Sequence, residues 1–199
     1  MSISISTNFF RKILIFFLIP ASLACSLFTS TPAPSQADLE REEQAVYAVF
    51  VRGSKGPALI LENTSTSTLD EDPGQMIDNI KDGLPGISND TIDSYVERNA
   101  QSAQLSPDMQ LGVDYVLLSQ EELAEISRQP NWHEVLTEKY PGSDGYTIFS
   151  RVGFNRSLDQ AVIYVGKVAG PLMGAGYYYL LEKQDGEWAI KEQIMVWIS

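Results

Sequence analysis

Apolar residues recur along this chain with two different periods. In the first half the spacing is helical: Leu39, Val46, Val49 and Phe50 fall on one side, with Glu40, Arg41, Glu43 and Gln44 elsewhere. That pattern predicts an amphipathic helix that starts at Ser35-Gln-Ala-Asp38 and ends near Gly53. From Asp159 onward the period is two, and three strand-like runs follow one another: Gln160-Ala-Val-Ile-Tyr-Val, Tyr177-Tyr-Tyr-Leu-Leu, and Trp188 to Ile198. Asp185-Gly186 separates the last two, and a tight primed turn needs the positive φ that Gly accepts without steric cost. In the final run Trp188, Ile190, Ile194, Val196 and Ile198 share one parity, broken by Glu192, which predicts a strand with one face on a core.

Between these ends, Ala58 to Glu62 and Val113 to Ser119 read as short strands. Residues 75–82 read as a helical turn or two, broken by Leu84-Pro85-Gly86. A further helix is expected with Asp90 as its cap and Ile92, Tyr95 and Val96 on one side. Gln120 to Arg128 reads as a helix capped by Ser119, and Asn131 to Lys139 as another. Pro141-Gly-Ser-Asp-Gly145 is a turn, after which Tyr146 to Phe154 begins the C-terminal sheet. Helices first and strands last predict an α+β domain, with the helices on one face of an antiparallel meander.

The start of the chain has a different character. Arg11-Lys12 precedes an apolar run, Ile13 to Ile19, and then Pro20-Ala21-Ser22-Leu23-Ala24-Cys25. A cationic start, a short apolar segment and small residues at a cut describe a secretory leader. The run is shorter than the roughly 20 apolar residues of a standard membrane span. Ser22-Leu23-Ala24-Cys25 resembles a bacterial lipobox, with Leu23 one place later than usual. Such signals are cut before the Cys, which carries the lipid. Residues 1–24 are therefore expected to be a signal peptide and residues 25–36 a lipidated Cys25 with a flexible tether rich in Ser, Thr and Pro. Residues 37–199 are expected to form one domain. Secretion without lipid and an uncleaved anchor are the alternatives.

Composition narrows the function classes. The chain has 199 residues, 44% hydrophobic, with a formal net charge of -12. Loss of the leader removes only the cations Arg11 and Lys12, so the remainder is more acidic still. An acidic surface argues against nucleic acid, whose phosphates must be neutralised, and against docking on anionic lipid. Cys25 is the single cysteine and His133 the single histidine. An intramolecular disulfide, a thiolate metal cluster and a multi-histidine metal site are thereby excluded.

Three blocks carry a resemblance. They are Glu43-Gln-Ala-Val-Tyr47 with Leu59-Ile-Leu-Glu-Asn-Thr-Ser65; Trp132 with Tyr140-Pro-Gly-Ser-Asp-Gly145; and Phe149-Ser-Arg-Val-Gly-Phe-Asn155 through Gln160-Ala-Val-Ile-Tyr164 to Trp188–Ser199. Together they resemble a family of uncharacterised, exported bacterial proteins, over nearly all of the chain after the leader. The resemblance implies an exported single-domain protein and transfers no functional residue. In fold, helices followed by a curved antiparallel sheet look similar to the cystatin fold or the nuclear-transport-factor-like cone, which does not give function.

Candidate chemistry is sparse. Adjacent helix residues such as His133 and Glu134 do not face each other. Ser150 with His133 and Asp144 has the composition of a triad, but no nucleophile elbow surrounds the serine. Asp70, Glu71, Asp72 and Asp78 offer hard oxygens without an EF-hand order. Gly166, Gly170, Gly174 and Gly176 around Pro171 match no phosphate loop and read as a hairpin. Arg151 interrupts an apolar strand and Glu192 interrupts another. A buried charge needs pairing, so this pair is a pocket marker should both prove buried. Tyr178, Trp188 and Trp197 concentrate aromatic surface in one sheet, where core packing competes with a cleft for a sugar or a peptide.

The residues favour a membrane-tethered envelope lipoprotein on the extracytoplasmic side, acting as a non-enzymatic binding or accessory domain. Its candidate binding residues are Arg151, Glu192, Tyr178, Trp188 and Trp197. It would need no cofactor, and its partner would be a protein or a small molecule. An envelope hydrolase using carboxylates and the single His, and a structural or assembly subunit, are the alternatives.

Overall fold

The computed structural model describes residues 33–66 and 72–199. Cys25, the leader, and Asp70 and Glu71 lie outside these residues. The described chain contains α1 (Gln36–Val51), β1 (Ala58–Leu61), α2 (Pro73–Gly83), α3 (Asn89–Arg98), β2 (Tyr115–Leu118), α4 (Gln120–Ser127) and α5 (Trp132–Lys139). Strands β3 (Tyr146–Phe149), β4 (Gly153–Phe154), β5 (Gln160–Gly170), β6 (Met173–Gln184) and β7 (Glu187–Ile198) follow. The class is α+β, with the helices N-terminal and most strands C-terminal.

Helix starts follow local chemistry. Ser35 caps α1 in a capping box with Asp38, Asp72 caps α2 ahead of Pro73, and Ser119 caps α4. The cap of α3 is Ser88 rather than the expected Asp90: the Ser88 hydroxyl accepts from the Thr91 amide and donates to the Asp90 carboxylate in turn. Asp185 and Gly186 both have positive φ, 53° and 88°, as the β6–β7 turn requires.

The sheet runs β2-β1-β3-β5-β6-β7, with β4 also on β5. The meander β5-β6-β7 is antiparallel, as expected. Two features depart from a meander covered on one face. Strands β2, β1 and β3 pair in parallel, so the early strands join the same sheet. Helices also cover both faces. Helix α1 packs with Ala161, Ile163 and Val165 of β5, whereas α2 and α3 pack with Val162 and Tyr164. Helices α4 and α5 cover Leu59 and Leu118 on the side of α2 and α3. Strand β5 is therefore buried on both faces, and its unbroken apolar run is that of a central strand.

The core is rich in tyrosine. Tyr47 stacks on Phe149 with ring centroids 4.5 Å apart and donates to the Ser150 carbonyl at 3.0 Å. Burial pushes the Tyr47 phenol well above its ordinary value, with the Glu43 carboxylate adding to the shift. Burial raises Tyr146, Tyr164 and Tyr179 likewise. Below pH 10.0 these phenols are neutral in both folded and unfolded chains, and their contribution is complete. Above it the unfolded chain ionises first, so stability falls as pH rises towards the folded-state values, by about 1.4 kcal/mol per pH unit for the fully buried Tyr47 and by less for the others, which solvent screens in part. Urea unfolding between about pH 9 and about pH 11 should show this fall, with a slope shallower by one phenol in Tyr47→Phe; an unchanged slope contradicts the assignment.

Candidate functional site

Strand β7 pairs with β6 alone and forms one edge of the sheet among the described residues. Its sequence alternates, but its register does not. Leu181 faces Ile190 while Leu180 faces Glu192, so Lys191 is an extra residue; Tyr177 faces Met195 while Gly176 faces Trp197, so Val196 is another. Each bulge turns the strand over by one position. Trp188 consequently packs on the α1 side, Ile194 and Trp197 on the α2 side. The single apolar face read from parity is thus corrected to two faces, because a period of two holds only while the ladder is unbroken.

Two open grooves result, one on each side of the β6–β7 sheet. The first lies between α2 and β7, with a volume of about 660 Å³. Tyr164, Tyr178, Ile194 and Trp197 form its sheet side, and Gln75, Met76 and Asn79 its helix side. The Trp197 indole donates from Nε1 to the Tyr164 hydroxyl at 2.7 Å. A Cβ at Gly176 would stand 2.1 Å from that nitrogen, and one at Gly174 2.9 Å from the far edge of the same ring. The two glycines therefore make the space in which the indole lies across β6.

The second groove, about 560 Å³, lies on the α1 side beyond Phe50. Val165, Ala175, Tyr177 and Tyr179 line it, and Leu172, Met173 and Ile198 stand at its rim. These rim residues are 82%, 65% and 72% exposed, and Met195 and Val196, which line the first groove, are exposed as well. The glycines around Pro171 sit in this β5–β6 hairpin, whose register shifts between Val168 and Gly170.

The remaining sequence candidates fall elsewhere. Arg151 does not pair with Glu192, which is exposed on β7. Its partner is Glu43 of α1, at 2.8 Å. The same carboxylate takes Arg98 of α3 at 3.0 Å and the Val152 amide at 2.9 Å. Desolvation works against the Arg151 charge, and Glu43 outweighs it, so the guanidinium pKa is raised. Asn99 holds the Arg151 backbone from both sides, accepting its N–H and donating to its carbonyl. Trp188 is buried, and its Nε1 donates to Glu42 at 2.8 Å, where Lys183 also binds. Arg151 and Trp188 are thus parts of buried polar contacts of α1, while Tyr178 and Trp197 meet in the first groove. Glu43, Arg98 and Asn99 were not singled out from the sequence; the only visible sign was a pair of carboxylates, Glu42 and Glu43, beside apolar helix positions.

The hydrolytic candidates do not converge. Ser150 is fully buried, accepting from the Tyr164 amide and donating to the Arg151 carbonyl. Asp144 pairs with Lys167 at 2.8 Å, and His133 makes an edge contact with Trp132. Asp72 caps α2, and no group of three or more metal-ligating side chains occurs among the described residues.

Breaking a buried ion pair strands the other charge, so Glu43→Ala should cost about 3–5 kcal/mol in chemical unfolding. Asp144→Ala, which opens the exposed pair with Lys167, should cost about 0–1 kcal/mol. Equal effects would contradict the burial assigned to the Glu43 contacts.

No protein-family model, curated protein or solved structure matches this chain.

Proposed function

We propose that this protein is a non-enzymatic binding or accessory domain, held on the extracytoplasmic side of a bacterial envelope membrane by lipid on Cys25. The observation that carries the binding reading is the β7 edge, which pairs with β6 alone among the described residues, with an open groove on each side: exposed Leu172, Met173 and Ile198 line one, and exposed Met195 and Val196 the other. Exposed large apolar side chains clustered at one edge of a sheet point to a contact site. The scatter of Ser150, His133 and Asp144 favours binding over hydrolysis.

The tether reading rests on sequence. Ser35 caps α1, and residues 26–35 extend at most about 35 Å, enough to hold the domain clear of headgroups. Several acyl chains on one Cys anchor firmly where a single chain is marginal. Among the described residues no helix is long and apolar enough to cross a membrane.

Cell fractionation with mass spectrometry tests the anchor. The native chain should sediment with membranes carrying a lipid adduct on Cys25, and Cys25→Ala should become soluble; a Cys25→Ala form that stays fully membrane-bound contradicts it. Methionine oxidation footprinting tests the binding surface. Met173 and Met195 should be oxidised more slowly in intact cells than in purified protein, while buried Met76 and Met109 stay slow in both. Equal rates at Met173 and Met195 in the two settings would remove the case for a partner there.

A further inference from the structure

The groove between α2 and β7 is built differently from the apolar groove on the other side. Trp197 has its one hydrogen-bond donor engaged by the Tyr164 hydroxyl and its ring seated across Gly174 and Gly176. It is half-buried, so what it offers the groove is a fixed aromatic surface. On the facing wall Gln75 and Asn79 stand one helical turn apart, both exposed, with Asp72 at the start of the same helix. Residues four apart share a helix face, so the two amides are neighbours. We propose that this groove binds a neutral pyranose unit of a glycan. The proposal deepens the binding reading above and rests on it.

The chemistry of the lining selects this ligand. A pyranose has a face of C–H bonds, which packs on an aromatic plane, and a rim of hydroxyls. Each hydroxyl is both donor and acceptor, and so is a side-chain amide, so Gln75 and Asn79 match adjacent hydroxyls where a purely apolar ligand would leave them unpaired. An aromatic surface facing placed polar groups suits a ligand that has both an apolar face and hydroxyls, and about 660 Å³ lies inside the usual size range of a small-molecule site. Among the described residues the lining includes Asp72 and no cation, on a chain of net charge -12, which disfavours a phosphorylated or carboxylated sugar. An extended peptide added to β7 is disfavoured by the bulges at Lys191 and Val196, which interrupt the regular ladder such a peptide requires.

The test uses the full-length protein, purified in a detergent without a sugar headgroup. It is titrated by calorimetry and tryptophan fluorescence with maltotetraose, cellotetraose, mannotetraose and the N-acetylglucosamine tetramer. At least one should bind saturably. Trp197→Ala should weaken it at least tenfold, and Gln75→Ala/Asn79→Ala together about tenfold. Gly176→Ala, which displaces the indole without removing it, should also weaken binding, and Trp132→Phe on α5 should leave it unchanged. If Trp197→Ala fails to fold, the Gln75/Asn79 pair decides. Absence of binding by all four saccharides overturns the proposal, as does binding that persists unchanged in the Gln75/Asn79 double variant. A saccharide recovered shortened after incubation would keep the ligand and end the non-enzymatic reading. Protection of Met195 in cells without saccharide binding would end the saccharide proposal and keep the binding reading.

Discussion

The Glu43 carboxylate is the contact on which the arrangement of layers depends. It sits on α1, above one face of the sheet, and takes Arg98 from α3, which packs on the other. Between them lies the interruption of β3 and β4, where Ser150–Val152 leaves the ladder of β5. A break in a buried strand strands amides and carbonyls that water cannot reach. Glu43 satisfies the Val152 amide, Asn99 both backbone groups of Arg151, and the Ser150 hydroxyl the Tyr164 amide. The same contacts that mend the break tie α1 to α3.

The far end of the sheet is built differently. Strand β7 has two bulges, and together with the β5–β6 hairpin it carries the exposed large apolar side chains. Bulges cost ladder hydrogen bonds, and here they place Ile194 and Trp197 against α2 while Ile198 faces the opposite groove. A doubly covered centre around β5 supporting a bulged, partly open edge accords with the proposed binding role, since a packed scaffold positions what the edge presents.

Local structure was legible in the sequence and long-range structure was not. The caps at Ser35 and Ser119 and the Asp185-Gly186 turn are set by neighbours within four residues, and each stands where its chemistry predicted. The parallel pairing of β1 with β2 and β3 joins segments far apart in the chain, for which short apolar runs hold no register information. Parity placed Trp188 through Ile198 on one face because a bulge leaves no mark on a pattern of alternation. Glu192 did leave one: the charge that broke the apolar series lies just past the Lys191 bulge and is exposed on the edge strand. Of the three aromatics grouped from the sequence, Tyr178 and Trp197 meet in one groove and Trp188 packs on the opposite side, while the role of the glycines that seat the indole and of the α2 amides facing it was invisible without the fold.

Native-state hydrogen exchange at the Val152 amide tests the central contact most directly. If Glu43 holds this N–H in a closed break, the amide exchanges only through global unfolding, with the same opening free energy as core amides of α1 and α3. Fast exchange at Val152 while α1 and α3 remain protected would mean that the break opens on its own, and that the carboxylate does not join the two helices.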